Sequence, residues 1–234
     1  MHLGLRLFFG FFVVAGIAAV LLLRVFLAEV KPSVREVMED VLVDSANLLA
    51  EQAAPDLRAL APGATLAGTR FAQGVHDYQA RPVDAAIWGL HKRTLDLGVY
   101  VTDAGGRVVF ESGGAAVAGA DYSRWRDVAR TLRGEYGART TREVVSDETS
   151  SVLYVAAPVK DGGRVIGVLT VAKPVLGVQP FIDRAEHKIA MAGAVLLASS
   201  LAIGAAVTGW AVQAVRRLRR YAQQVRAGER QSVP

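Results

Sequence analysis

Arginine and aromatic side chains are concentrated in the middle of the sequence. The candidate ligand-binding residues are, in order, Arg139, Tyr122, Trp125, Tyr154 and Arg124. A guanidinium group presents a planar fork of donors that holds two oxygens at once, and aromatic rings can form the walls around it. This combination of residue types suits the binding of a small carboxylate or phosphate.

The same residues also have an ordinary structural interpretation. Most arginines in proteins are exposed to solvent, so several of these side chains can be surface groups without a ligand. Trp125 and Tyr154 are natural core aromatics. The residue types alone leave both interpretations open.

Metal and thiol chemistry receive little support from the sequence. There is no cysteine, which excludes a disulfide and a thiolate metal site. A site built from His76, Asp77 and His91 is conceivable, but no repeated histidine or aspartate spacing typical of metal ligands occurs. The sequence therefore predicts no metal, no cofactor and no catalytic residue in this chain.

Two long apolar runs indicate that the chain crosses a membrane twice. The runs Leu7–Leu23 and Ile189–Val215 contain no charged residue, and each reaches the roughly 17–25 residues that a membrane span requires. We predict transmembrane helices at residues 7–28 and 189–215. A cleaved signal peptide is the alternative for the first run, but that run is longer than a usual signal core and resumes after Arg24.

The charge distribution predicts the orientation of these helices. Residues 29–188 carry 19 Lys+Arg and 21 Asp+Glu, whereas the two ends carry 8 and 1. Because positive residues stay on the cytoplasmic side, residues 1–6 and the C-terminal end are expected inside and residues 29–188 outside. The basic cluster adjoins a membrane helix, so we expect it to meet lipid head groups and expect no nucleic-acid partner.

The outer segment changes from helical to strand-like periodicity along its length. Apolar spacing predicts a helix from near Pro32 to about residue 60, and a weaker helical stretch over 66–92 that is interrupted at 79–82. The remaining predicted elements are a hairpin over 99–110, a helical insert over 122–132, a middle strand over 139–145 and a second hairpin over 151–173. The pattern predicts an α+β domain with an antiparallel sheet.

Two helical stripes suggest contacts whose partner the sequence does not identify. The apolar stripe of the first outer helix can cover the sheet or also form a dimer seam. A last helix is predicted to start near Pro180 and to continue into the second span. Beyond that span, Val215, Leu218, Ala222 and Val225 follow the spacing of a coiled seam, which is also the spacing of any helix buried on one side.

Several segments resemble a known family of sensors. The segments are Tyr100–Val108, Asp121–Val128, Thr131–Arg139, Ser150–Pro158 and Ile166–Leu169, together with Glu29–Pro32 near the start. They are similar to the outer domain of CreC-type two-component sensor histidine kinases, and the resemblance runs over most of the chain.

The resemblance implies a PAS-like single Cache domain in the periplasm at residues 29–188 and the start of a HAMP linker at 216–234. It also implies a homodimer in the bacterial inner membrane, an unknown periplasmic ligand or protein as signal, and a ligand site beneath the helical insert. A response regulator, ATP and Mg would be engaged only through a kinase domain, because no phosphorylatable histidine motif or ATP-binding box occurs here. The chain alone is therefore not identified as an enzyme.

Other functions remain open at this point. A chemoreceptor or a cyclic-dinucleotide enzyme can share the same sensor half. A stand-alone membrane protein that binds a partner through its outer domain is a further alternative.

Overall fold

The computed structural model describes residues 2–87, 89–113, 117–142, 150–175 and 179–226. Its helices are α1 (His2–Arg58), α2 (Arg70–Ala80), α3 (Arg126–Leu132) and α4 (Gln179–Arg226). Its strands are β1 (Ala85–Ile87), β2 (Leu90–Lys92), β3 (Gly98–Asp103), β4 (Val108–Glu111), β5 (Gly137–Arg142), β6 (Ser151–Asp161) and β7 (Arg164–Pro174).

The main sheet has five strands in the order β4-β3-β7-β6-β5, and every neighbouring pair is antiparallel. Both predicted hairpins are present: β3 pairs with β4, and β6 pairs with β7. In the second hairpin, Gly162 and Gly163 both take positive φ, which glycine adopts at no steric cost. The predicted α+β class with an antiparallel sheet and a long N-terminal helix is confirmed.

Both faces of the sheet are covered by other parts of the chain. On one face, α1 and α2 pack with alternate strand residues, including Val101, Val155 and Val171, which have no exposed surface. On the opposite face, α3 and the segment before it pack with the intervening residues, including Tyr100, Ala156 and Val168. Successive strand residues point to opposite faces, so each strand contributes to both cores.

By internal contacts the chain divides into two units, Pro32–Asp183 and a second unit made of Met1–Lys31 with Arg184–Pro234. Two helical stretches are long and apolar enough to cross a membrane. Phe9–Phe26, with mean hydropathy 2.4, lies in the second unit, and Gln179–Gln223, with mean hydropathy 2.0, lies in that unit from Arg184 onward. Within this unit, an added Cβ at Gly193 would lie 3.2 Å from Leu23 Cδ1. Small residues allow such close approach between membrane helices.

Three sequence-based expectations for the secondary structure are wrong. The stretch expected over 66–92 is helical as α2 up to the expected interruption at 79–82, but beyond it the chain forms the separate hairpin of β1 and β2, because Gly89 supplies a positive-φ turn. Pro32 lies inside α1 rather than near a helix start. Helix-forming residues on both sides outweigh its single missing donor.

The third correction concerns the strand expected over 139–145. It begins at Gly137 and is the edge strand β5, paired only with β6 in the part of the chain that the structure describes. Residues 143–145 lie outside the described ranges, as do residues 227–234 of the expected HAMP segment. The described part of that segment continues α4 to Arg226.

Candidate functional site

Four of the five predicted site residues come together on the sheet face that α3 covers. Tyr122 and Trp125 precede α3, Tyr154 lies on β6, and Arg139 lies opposite Tyr154 on the neighbouring β5. With Tyr100 of β3 they form what we call the aromatic cluster. The antiparallel register therefore unites residues that the sequence separates by more than thirty positions.

The rings of the aromatic cluster pack in two geometries. Tyr122 and Trp125 are stacked, with centroids 3.5 Å apart and planes at 14°. Tyr100 meets both edge-on, at 5.3 Å from Tyr122 and 6.2 Å from Trp125. Edge-to-face pairs are a favoured arrangement of aromatic rings, so Tyr100 packs favourably against the stacked pair of Tyr122 and Trp125.

Arg139 is enclosed by this cluster. Its guanidinium carbon lies 4.2 Å from the ring centroid of Trp125 and 3.8 Å from that of Tyr154. These distances fit cation–π contacts on two rings. Its Nε donates to Asp127 Oδ1 over 2.9 Å, and its side chain is only 16% exposed.

Asp127, in the first turn of α3, is the acceptor at the centre of the cluster. It has no exposed surface, and its second carboxylate oxygen accepts a hydrogen bond from the Tyr100 hydroxyl. Burial raises the pKa of Tyr100 and the neighbouring Asp127 raises it further, so the phenol stays a donor. Burial is the largest influence on the pKa of Arg139 and acts to lower it, but the charge and hydrogen bond of Asp127, together with Tyr100, outweigh burial and the pKa is raised.

Asp127 and Tyr100 are residues of the candidate site that the sequence did not single out. An acidic residue in the first turn of a helix is common because it complements the helix dipole. Tyr100 falls in an ordinary strand pattern. Only the packing of α3 on β3 and β5 shows that the two residues meet.

Five buried polar atoms have no hydrogen-bond partner among the described residues. They are Thr102 Oγ1, Glu111 Oε2, Thr131 Oγ1, Arg139 Nη2 and Thr170 Oγ1. The strand residues share the face that carries the aromatic cluster, since Thr170 lies opposite Tyr100 on one side and Glu111 lies opposite it on the other. Thr131 belongs to the helix that covers this face. Burial raises the pKa of Glu111.

The fifth predicted residue, Arg124, lies apart from the others. It is exposed in the segment before α3, where its charge helps to lower the pKa of Asp121, although the hydrogen bonds from Ser123 lower that pKa more. Further along, Arg130 and Arg133 pair with Glu135 at the surface. The structure thus separates one enclosed arginine from several exposed ones.

The chain is 47% identical to the Escherichia coli sensor protein CreC over 225 residues, which is 96% of this chain and 46% of that protein. It spans about half the length of this curated relative. No family model matches the sequence. The resemblance to CreC-type sensor proteins is confirmed.

Solved structures of other sensor domains are also similar in part. The E. coli DcuS sensor domain matches with a TM-score of 0.35 and 20% identity, covering 62% of this chain and 97% of that one. The Vibrio cholerae histidine kinase DctB sensor domain matches with a TM-score of 0.30 and 15% identity, covering 38% and 33%. An extracellular ligand binding receptor from Desulfohalobium retbaense matches with a TM-score of 0.46 and 16% identity, covering 69% and 27%.

Proposed function

We propose, from the similarity of this chain to the sensor protein CreC, that it is the input half of a two-component sensor histidine kinase. The observation that carries the proposal is the extent of the match, which takes in both candidate spans and the domain between them. Residues 29–188 sense a signal outside the cytoplasm, and the second span conveys it across the membrane. Kinase activity and the response regulator belong to a cytoplasmic domain.

The proposal includes a homodimer in the inner membrane with both termini in the cytoplasm. The uneven distribution of positive residues supports this orientation. On α4, Val215 and Leu218 are large apolar residues that are more than 60% exposed in the single chain. A second copy packed along this helix would cover them.

Cysteine crosslinking in membranes tests the dimer. The native sequence has no cysteine, so one introduced at position 215, 218 or 222 is the sole reactive thiol. We expect oxidation to yield disulfide-linked dimers from Val215→Cys, Leu218→Cys and Ala222→Cys, because these positions share one helix face. Arg220→Cys is the control on the opposite face of the helix and should crosslink much less. Equal crosslinking at all four positions, or none, would contradict a specific seam.

The proposed ligand face is the one that carries the aromatic cluster. Arg139, Tyr122, Trp125 and Tyr154 supply the aromatic and cationic groups, with Arg124 outside. Buried polar groups are nearly always hydrogen-bonded, so the unpartnered atoms on this face support the binding of a polar molecule there. A small carboxylate or phosphate matches the donors of Arg139.

Arg139 is a poor probe of this proposal because its loss would also leave Asp127 unpaired. Thr170 is better, since Thr170→Val keeps the shape of the side chain and removes only a hydroxyl beside that of Tyr100, whose proton Asp127 already accepts. We expect the variant to melt no lower than the parent protein and to bind the ligand about fivefold or more weakly, as for one lost hydrogen bond.

The measurement is a screen of small carboxylates, sugars and phosphates against the full chain in nanodiscs. Binding raises the melting temperature by mass action and changes the fluorescence of Trp125. Trp88→Phe and Trp210→Phe together make Trp125 the sole reporter. A ligand whose affinity is the same for the parent protein and Thr170→Val would place its site elsewhere.

A further inference from the structure

A cavity of about 360 Å³ lies beside the edge strand β5 and shares Arg139 with the aromatic cluster. Its charged and phenolic lining residues are Arg35, Glu39, Arg126, Arg130, Tyr136 and Arg139. Three elements supply the arginines, since Arg35 belongs to α1, Arg126 and Arg130 to α3, and Arg139 to β5. We call it the arginine pocket.

The arginine pocket has an excess of positive charge. Four guanidinium groups line it, against the single carboxylate of Glu39. Two of the four are paired with acids outside the lining, Arg130 with Glu135 and Arg139 with Asp127. Counting those acids as well, the cations still exceed the anions by one, so the pocket favours an anionic ligand.

Donors in the pocket are available for a ligand. Arg126 makes no hydrogen bond or ion pair with any residue in the described ranges, and Arg35 donates to the neutral hydroxyl of Thr140. Arg139 lines the cavity as well, and its Nε is held by Asp127. These three side chains line one cavity from three different elements.

The carboxylate of Glu39 is engaged by a neighbouring side chain. It accepts a hydrogen bond from the Tyr136 hydroxyl. Burial raises the pKa of Tyr136, and the bond to Glu39 raises it further, so the phenol remains protonated and holds this carboxylate. The hydrogen bond leaves the arginines as the main polar groups that face an incoming molecule.

We propose that the arginine pocket binds a group with at least two negatively charged oxygens, a phosphate or a pair of carboxylates. An arginine fork binds such a group through two parallel hydrogen bonds to its anionic oxygens. A neutral sugar and a single cation lack these anionic acceptors. The bound group would join Arg35 of α1 to Arg126 of α3 and to β5. Binding at the arginine pocket follows from its lining residues. Only the consequence of binding, a signal to the second span, rests on the sensing function proposed above.

Calorimetric titration of the full chain in phosphatidylcholine nanodiscs tests the pocket, with citrate and pyrophosphate as probes. We expect Arg126→Gln and Arg35→Gln each to weaken binding about tenfold or more, the range for a lost hydrogen bond to a charged group. Arg126→Lys keeps the charge without the fork and should fall between the parent protein and Arg126→Gln. The matched control is Arg133→Gln, which removes an α3-flanking arginine that is outside the pocket and should leave binding unchanged.

A lipid head group could supply the same chemistry, and a second arm separates the two sources. In one outcome, nanodiscs made of phosphatidylglycerol abolish the binding of citrate, and the Arg126→Gln protein binds less of that lipid than the parent protein does. The anion then comes from the membrane, and the site stands. If neither probe nor lipid binds in a way that depends on Arg35 and Arg126, the proposal is overturned. Intact dimer crosslinking in that case would leave the sensing function in place.

Discussion

Replacing Asp127 by alanine is expected to lower the free energy of unfolding by about 3–5 kcal/mol, the cost of breaking a buried ion pair by removing one partner. Asp127 has no exposed surface, and its two oxygens accept from Arg139 and Tyr100. Without it, a guanidinium enclosed by two rings loses its counter-charge. The buried Tyr100 hydroxyl loses its acceptor as well.

The measurement is urea unfolding of the full chain in detergent, followed by tryptophan fluorescence. Glu135→Ala is the matched control, because Glu135 also pairs with arginines but lies at the surface, where such pairs contribute little. A loss for Asp127→Ala that is no larger than the loss for Glu135→Ala would contradict the buried pair.

A double-mutant cycle that combines Asp127→Ala with Arg139→Met separates the energy of the ion pair from the contribution of each side chain by itself. Each single change leaves the other charge buried alone, whereas the double change removes both charges. We therefore expect the double variant to be clearly more stable than the sum of the two single losses predicts. Additive losses would show that Asp127 and Arg139 act independently.

Gly137→Ala is expected to destabilise the protein by about 3 kcal/mol, at the upper end for overpacking a core. A Cβ at this position would lie 2.1 Å from the carbonyl oxygen of Asp127 and 2.4 Å from Thr131 Oγ1. The first of these is a backbone atom, which cannot rotate away. Helix α3 must therefore shift away from β5, and the aromatic cluster would be disturbed with it.

Thermal unfolding and Trp125 fluorescence measure the two effects of Gly137→Ala. For a chain of this size, about 3 kcal/mol corresponds to a fall in Tm of roughly 6–12 °C. The control is Gly74→Ala in α2, where nothing lies within 4 Å of an added Cβ and alanine is the better helix former. We expect that control to be neutral or stabilising. An unchanged Tm for Gly137→Ala would show that α3 does not pack against Gly137 as described.

Local sequence patterns determined much of this protein. The two apolar runs predicted spans because crossing a bilayer requires length and apolarity alone. The hairpins of β3 with β4 and of β6 with β7 were predictable because their strands are joined by short turns with suitable glycines. The residue types around position 125 pointed to an aromatic and cationic cluster, and the structure does bring four of the five residues together.

The tertiary structure alone decided which of these residues meet. Tyr100 reaches Asp127 across 27 positions, and Arg35 reaches Thr140 across 105. The enclosure of Arg139 and the edge position of β5 depend on the same long-range packing. Periodicity reports only which face of its own element a residue occupies. Contacts between distant elements depend on how sheet and helices pack together, so the buried ion pair and the arginine pocket appear only in the folded chain.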